Sequence, residues 1–244
     1  MFNLNGKHIL ITGASSGMGR VFAQMIAKQG ARVSLLARNE ERLRETLSGL
    51  EGEGHQYYVC DLVDDCQLKK VVDVLTPLNG IVFCAGVNEF LPIKFVKQEK
   101  IDHIFQTNYF SQLLLLKYIL KKKLLNKGSS LIFISSVSSL LGVSGTLLYA
   151  SSKAAINSAV KVLASEFSSS KIRVNSICPG IIKTPMIENT NIDETQFLEQ
   201  ECKYPLGLGI PEDVGYAVIY HLADESRWLT GNIMVLDGGF SLNK

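Results

Sequence analysis

Apolar residues along this chain fall into short runs rich in β-branched side chains, separated by longer stretches in which apolar and polar positions recur at helical spacing. The runs are HILITG (8–13), RVSLLAR (32–38), YYVCDL (57–62), GIVFCAG (80–86), SLIFISS (130–136), IRVNSICPG (172–180) and NIMVLDGG (232–239). Runs without polar alternation predict strands covered on both faces, and helical material between successive strands implies parallel pairing. The pattern therefore predicts an α/β doubly wound, Rossmann-like fold: a seven-stranded parallel sheet flanked by helices on both faces. No repeat, low-complexity tract or Pro/Gly/Ser linker divides the 244 residues. One domain over 1–244 is expected.

Composition narrows the class. With 46% hydrophobic and 20% charged residues the chain reads as a folded protein, and a net charge of +2 gives no argument for nucleic acid. Cys60, Cys66, Cys84, Cys178 and Cys202 are odd in number and form no C-x-x-C, and the histidines are scattered. That pattern predicts reduced thiols in a cytoplasmic protein and no metal site. The opening MFNLNGKHILITGAS has the form of neither a signal peptide nor a membrane span. The stretch LLLLKYILKKKLLNK (113–127) is read as a core or subunit-interface helix with lysines at its C-terminal end, where they suit the helix dipole, in preference to a membrane-surface segment.

Candidate chemistry begins after the first strand. HILITGASSGMGR runs from a strand into glycines at 13, 17 and 19 and on into the helical VFAQMIAKQG. In that context glycines let the backbone turn sharply and approach a pyrophosphate, whose charge is met by the helix N-terminus. A dinucleotide site is expected. At the end of the second strand, where an acid would serve the ribose of NAD, the chain has Arg38, which favours pairing with a 2′-phosphate and hence NADP(H). Asp61, after the third strand, either accepts from an adenine amino group or caps the next helix.

Tyr149 and Lys153 stand four positions apart in LLYASSKAAI and would share a helix face. With the glycine motif Thr12-Gly13-Ala14-Ser15-Ser16-Gly17-Met18-Gly19, Ser136 thirteen positions before the tyrosine, Asn108 in QTNYFS, and Pro179, Gly180 and Thr184, the ordered set resembles the short-chain dehydrogenase/reductase family over essentially the whole chain. PLGLGIPEDV and LTGNIMVLDGG are similar to its C-terminal landmarks. The resemblance implies a hydride transfer between nicotinamide and a carbonyl or secondary alcohol. In it Tyr149 is the general acid/base, Lys153 the cation that stabilises its phenolate and holds the nicotinamide ribose, Ser136 a partner of the substrate oxygen, and Asn108 the holder of a relay water. Ser15 and Arg38 would meet the 2′-phosphate, Asp61 the adenine, Ile182 the carboxamide and Thr184 the cofactor phosphates. Ser16, Gly17, Met18, Gly19, Ala85 and Gly86 complete the cofactor contacts.

The chain departs from the family where Asn-Asn-Ala-Gly becomes Phe83-Cys84-Ala85-Gly86, and PLGLGIPEDV lacks the landmark's arginine. Cys84 is read as a small hydrophobe. The resemblance leaves several substrates open. Reduction of 3-oxoacyl groups on acyl carrier protein would use a basic patch such as Lys121, Lys122, Lys123 and Lys127, although Ser170 stands where such reductases often carry arginine. Small ketones and keto-sugars are alternatives, and a non-catalytic NADP-binding regulator is a rival class. The polar segment 185–204, the expected lid, suits a hydroxylated substrate better than a fatty chain. Helices spanning roughly Ile101 to Leu125 and Tyr149 to Phe167 are expected to build a homotetramer or dimer.

Overall fold

A computed structural model describes residues 2–185 and 199–243. Its strands are β1 (His8–Thr12), β2 (Arg32–Ala37), β3 (Gln56–Val59), β4 (Leu78–Phe83), β5 (Leu125–Ile134), β6 (Arg173–Pro179) and β7 (Ile233–Leu236). They form one sheet in the order β3-β2-β1-β4-β5-β6-β7, with every neighbouring pair parallel. The helices are α1 (Gly17–Lys28), α2 (Glu40–Ser48), α3 (Asp65–Val74), α4 (Gln98–Phe105), α5 (Ser111–Lys121), α6 (Leu147–Glu166) and α7 (Pro211–Leu222). This is the doubly wound, Rossmann-like architecture expected from the apolar runs.

Successive strand residues face opposite sides of the sheet, so an uninterrupted apolar run feeds two cores at once. Ile9 and Ile11 pack with Phe22 and Ile26 of α1 and Val218 and Leu222 of α7. Leu10, between them, joins Leu68 of α3, Leu115 of α5 and Val160 of α6 on the other side. Both layers are dry at their centres: Phe22, Phe83 and Phe133 are completely buried. The edge strands depart from the doubly covered expectation, since β3 and β7 contain exposed positions such as Val59 and Val235. An edge strand has a neighbour on one side only, and α2 covers β3 only in part.

The helix starts follow local chemistry. Asn39 Oδ1 accepts from the amide of Arg42 at the start of α2, and Asp64 Oδ1 accepts from the amides of Cys66 and Gln67 at the start of α3. Asp64 rather than Asp61 therefore caps α3, which removes the capping role considered for Asp61.

The helix expected over Ile101 to Leu125 is continuous through its middle but stops short of Leu125. α4 ends at Phe105, a π-helical turn covers Gln106–Phe110, α5 runs only to Lys121, and Leu125 already opens β5. α5 closes through Lys123, whose φ is +56, with its amide bonded to Leu120 O and that of Leu124 to Ile119 O. A left-handed residue there reverses the chain into the sheet. Lys127 accordingly lies on β5, not on the helix, and Lys122 pairs with Asp73 at 2.7 Å. Leucine-rich stretches are ambiguous between buried helix and buried strand, and the sheet claimed this one's C-terminal end. Among the described residues, no helix is long and apolar enough to cross a membrane.

Candidate active site

The strand order reverses between β1 and β4: the chain leaves β1 towards β2 and β3, then returns to build β4 to β7 on the other side. A crevice must open where the two crossovers part, beyond the carboxyl ends of β1 and β4. A cleft of about 690 Å³ lies there and gathers Gly13, Ser15, Ser16, Gly17, Met18, Gly19, Arg38, Asp61, Ala85, Gly86 and Thr184 from five separate stretches of sequence.

Close approach accounts for two of the glycines. Gly13 has φ +70 and donates its amide to Leu36 O at 2.8 Å, and a Cβ on it would stand 2.9 Å from Cα of Ala85. At Gly19 a Cβ would lie 2.3 Å from Gly13 O, so the loop folds back against the first turn of α1. Thr12 Oγ1 accepts from the amides of Cys84 and Ala85, both at 3.1 Å, and ties the tip of β1 to that of β4. Arg20 donates to Ser15 O at 2.8 Å and pairs with Glu45, bracing the loop against α2.

α1 meets the requirements of an anion cradle. Its N-cap Ser16 makes no side-chain capping bond and its first turn holds no acid. The free N–H groups and the positive end of the dipole therefore face the cleft without an internal competitor. These residues fit a dinucleotide's pyrophosphate. Further along the cleft, Arg38 is exposed and its Nη1 stands 4.0 Å from Oδ2 of Asp61. Arg42 and Asn39 also line the cleft. Neither was singled out from the sequence; the Asn39 cap, which sets Arg42 in the first turn of α2, is the signal that was available.

The catalytic candidates converge from three elements. α6 carries Tyr149 and Lys153 on one face, as their spacing predicted. Ser136 follows β5, opens the short turn Val137–Ser139 and accepts from the amide of Ser138 at 3.2 Å. Asn108 sits in the π-helical turn, completely buried. Its Oδ1 accepts from Val87 N at 2.8 Å, and its Nδ2 donates to Val87 O at 2.9 Å and to Ser152 Oγ at 3.1 Å. Gly86 joins this group to the cleft, since a Cβ there would lie 3.2 Å from Asn108 Oδ1 and 3.3 Å from Lys153 Nζ.

Electrostatics at the pair differ from the expectation of a phenol with a lowered pKa. Lys153 is 3% exposed, too deep for a snorkelling lysine, and donates from Nζ to Ile134 O at 2.8 Å. Its Nζ stands 5.7 Å from the centre of the Tyr149 ring. Burial pushes the lysine down to about 8 and the phenol up to about 12, with a hydrogen bond with Ser136 working against the rise. Desolvation is the largest cause of both shifts. Burial thus favours the neutral form of the phenol.

The remaining expected contacts sit at the end of β6. The amide of Gly180 donates to Leu236 O at 3.0 Å, and Ile182 turns its side chain into the core and bridges to Gly209. Pro179 is the last residue of β6. Thr184 is buried and reaches the cleft. Of the expected lid, residues 186–198 lie outside the described residues; on either side, Lys183 pairs with Glu201 at 3.4 Å and Tyr204 Oη accepts from Ile181 N at 3.1 Å. Where the family has two asparagines, Phe83 stacks on Phe133 at 4.2 Å between ring centres and Cys84 is half-buried, with its thiol pushed up to about 12 by burial. Gln112 Nε2 donates to Ala85 O at 2.9 Å and holds the same loop from α5.

Fold and cleft define an α/β protein of the dinucleotide-binding type. A family model described as enoyl-(acyl carrier protein) reductase matches residues 13–241. The chain is 32% identical to 3-oxoacyl-(acyl-carrier-protein) reductase FabG of Rickettsia conorii over 98% of each chain. It is 32% identical to carbonyl reductase family member 4 of Danio rerio over 96% of this chain and 97% of the other. Among solved structures, short-chain type dehydrogenase/reductases from Mycobacterium ulcerans and Mycobacterium marinum superpose with TM-scores of 0.90 and 0.89. They are 26% and 29% identical, over 98% of this chain and 91% and 97% of theirs. The chain belongs to the short-chain dehydrogenase/reductase family and is an oxidoreductase of that family, whose members use a nicotinamide cofactor.

Proposed function

We propose that the protein is an NADP(H)-dependent carbonyl reductase in which Tyr149 acts as the general acid. The observation that carries this reading is the pair of half-buried Tyr149 and buried Lys153 on α6, joined through Gly86 to a cleft whose helix N-terminus is free for phosphate. A nicotinamide held there would supply the chemistry of hydride transfer to or from the substrate carbon. The glycine loop and α1 would hold its pyrophosphate, Ser15, Arg38 and Arg42 a 2′-phosphate, Asp61 the adenine, and Ile182 and Thr184 the nicotinamide end.

Each protein group then has one task. Tyr149 donates a proton to the substrate oxygen as charge develops on it, Ser136 Oγ donates a hydrogen bond to the same oxygen, and Lys153 supplies a positive field that eases loss of the phenolic proton. Asn108 would seat the water that returns a proton to Lys153. A phenol kept protonated by burial is in the form that donates when a carbonyl is reduced. The whole chain would act as a single domain.

For substrate, the reading favoured is 3-oxoacyl thioester reduction, supported by full-length similarity to proteins named as 3-oxoacyl-(acyl-carrier-protein) reductases. Exposed Phe110 and Val162, beside α5 and on α6, support assembly into a homo-oligomer through those helices. The test is the initial rate of NADPH oxidation, with NADH as control, on an acetoacetyl thioester, simple ketones and keto-sugars. Turnover of the thioester with NADPH supports the reading. Turnover of another carbonyl alone removes the acyl-carrier assignment, and inertness across the panel despite tight NADPH binding replaces catalysis with a regulatory role.

A further inference from the structure

α6 continues the Tyr149–Lys153 face by one more turn to Asn157, which is buried at 5% exposure and lies on the far side of Lys153 from the tyrosine. Its amide is held on both sides. Nδ2 donates to Ser139 Oγ at 2.8 Å, and Oδ1 accepts from Ser176 Oγ of β6 at 2.9 Å, with Cys178 Sγ 3.6 Å from Nδ2. Ser139 in turn donates its single hydroxyl hydrogen to the backbone carbonyl of Ser136 at 2.5 Å. From the same turn, Ser135 Oγ donates to Lys153 O at 3.1 Å.

The direction of these bonds is determined by proton supply. A primary amide offers donors on nitrogen and acceptors on oxygen, whereas a hydroxyl has one hydrogen. Because Asn157 donates to Ser139, the hydroxyl is free to spend its hydrogen on Ser136 O. The chain Asn157–Ser139–Ser136 thereby spans from the helix that holds Tyr149 to the turn that holds the serine.

We infer that Asn157 is a positioning residue for the reaction, acting through Ser139 to hold Ser136 in register with Tyr149. This rests on the proposed role of Ser136 and Tyr149 at the substrate oxygen. Asn157 itself is not among the residues that line the cleft.

The test uses the full-length protein with NADPH and the carbonyl compound of the panel that the wild type reduces fastest. Asn157→Leu keeps the volume and removes both bonds; kcat should fall between about 10- and 100-fold, the scale of a small misplacement of reacting groups, while the NADPH dissociation constant is unchanged. Ser139→Ala should give a similar loss, and the double variant should lose no more than either single one, because both act on one chain. Wild-type kcat in Asn157→Leu, or multiplied losses in the double variant, would overturn the inference.

Asn157→Asp adds a readout that a packing role would not move, and it decides the matter if the leucine variant does not fold. An ionised carboxylate only accepts, so Ser139 must turn its hydrogen to it and leave Ser136 O with the Ser139 amide at 3.0 Å as its partner; a protonated carboxyl donates again and restores the second bond. The ratio of variant to wild-type kcat should therefore rise as pH falls through the carboxyl's pKa, which burial raises. A ratio flat across pH overturns the inference. Ser136→Ala and Tyr149→Phe are measured alongside. If these two keep wild-type kcat, or the wild type is inert on the whole panel, the functional reading fails first and the inference with it. If these two lose activity while Asn157→Leu does not, only the inference fails.

Discussion

Lys153 Nζ donates to the backbone carbonyl of Ile134 at 2.8 Å, so the lysine of the Tyr-x-x-x-Lys pair is tethered to the end of β5 while its positive charge lies 5.7 Å from the Tyr149 ring. A buried ammonium with one carbonyl partner loses more from desolvation than it regains, and its pKa drops to about 8. The tether holds the cation at a set distance from the phenol and leaves its charge open to pH.

That charge gives the pH dependence. Lys153 is positive below about 8 and neutral above it, whereas Tyr149 remains protonated up to about 12. kcat/KM for reduction is therefore expected to be level below about 8 and to decline above it, as the field that assists proton release disappears. A pH series of initial rates from 6 to 10 checks this, with about one tenfold fall per unit at the limit of a single titrating group. A profile level to pH 10 would detach Lys153 from proton transfer.

Tyr149→Phe removes the only proton donor assigned to the substrate oxygen and leaves the ring's packing in place. Reduction should slow by about 10²- to 10⁴-fold. NADPH affinity, followed by quenching of protein fluorescence, should stay at the wild-type value, because the phosphate cradle lies on β1 and α1.

Arg38 and Arg42 stand at the same end of the cleft. In Arg38→Ala with Arg42→Ala, the loss of charge-assisted bonds of about 1.5–3 kcal/mol each should weaken NADPH binding far more than NADH binding. Equal losses for the two cofactors would show that neither guanidinium reads the 2′-phosphate. The Arg38–Asp61 pair at 4.0 Å is exposed, so its own rupture costs little.

Gly13→Ala places a methyl 2.9 Å from Cα of Ala85 at a backbone angle of φ +70. Strain of about 1–3 kcal/mol is expected, read as a lower midpoint in urea unfolding together with weakened NADPH binding. Gly128→Ala is the internal control: its φ is +81, but nothing lies within 4 Å of the added carbon, so it carries the backbone cost without the clash at the cofactor loop.

Much of this was legible from particular residues. Ile9, Leu10 and Ile11 announce a strand because each faces an apolar layer, and a run buried on both faces has no polar alternation to hide it. Tyr149 and Lys153 declare a shared face because helical spacing is local. The π-helical turn at Gln106–Phe110 was not legible: such a turn has no residue signature, and this one is held by Asn108 reaching Val87, twenty-one positions away in sequence. Nor was the end of α5, where leucines at 124 and 125 suit a helix as well as a strand until the neighbouring strand is known. Arg42 and Asn157 looked like ordinary polar helix positions.

The sequence by itself determined the alternation of strands and helices, the glycine loop, and the order of Asn108, Ser136, Tyr149 and Lys153 along the chain, because each depends on residue type and short-range spacing. Only the tertiary structure decided that Gly86 lies close to both Asn108 and Lys153, that Ile134 O accepts a hydrogen bond from the lysine, and that burial sends the phenol up and the lysine down. Those outcomes depend on which strand ends are adjacent and on how much water reaches them, and both follow from the parallel order of the sheet.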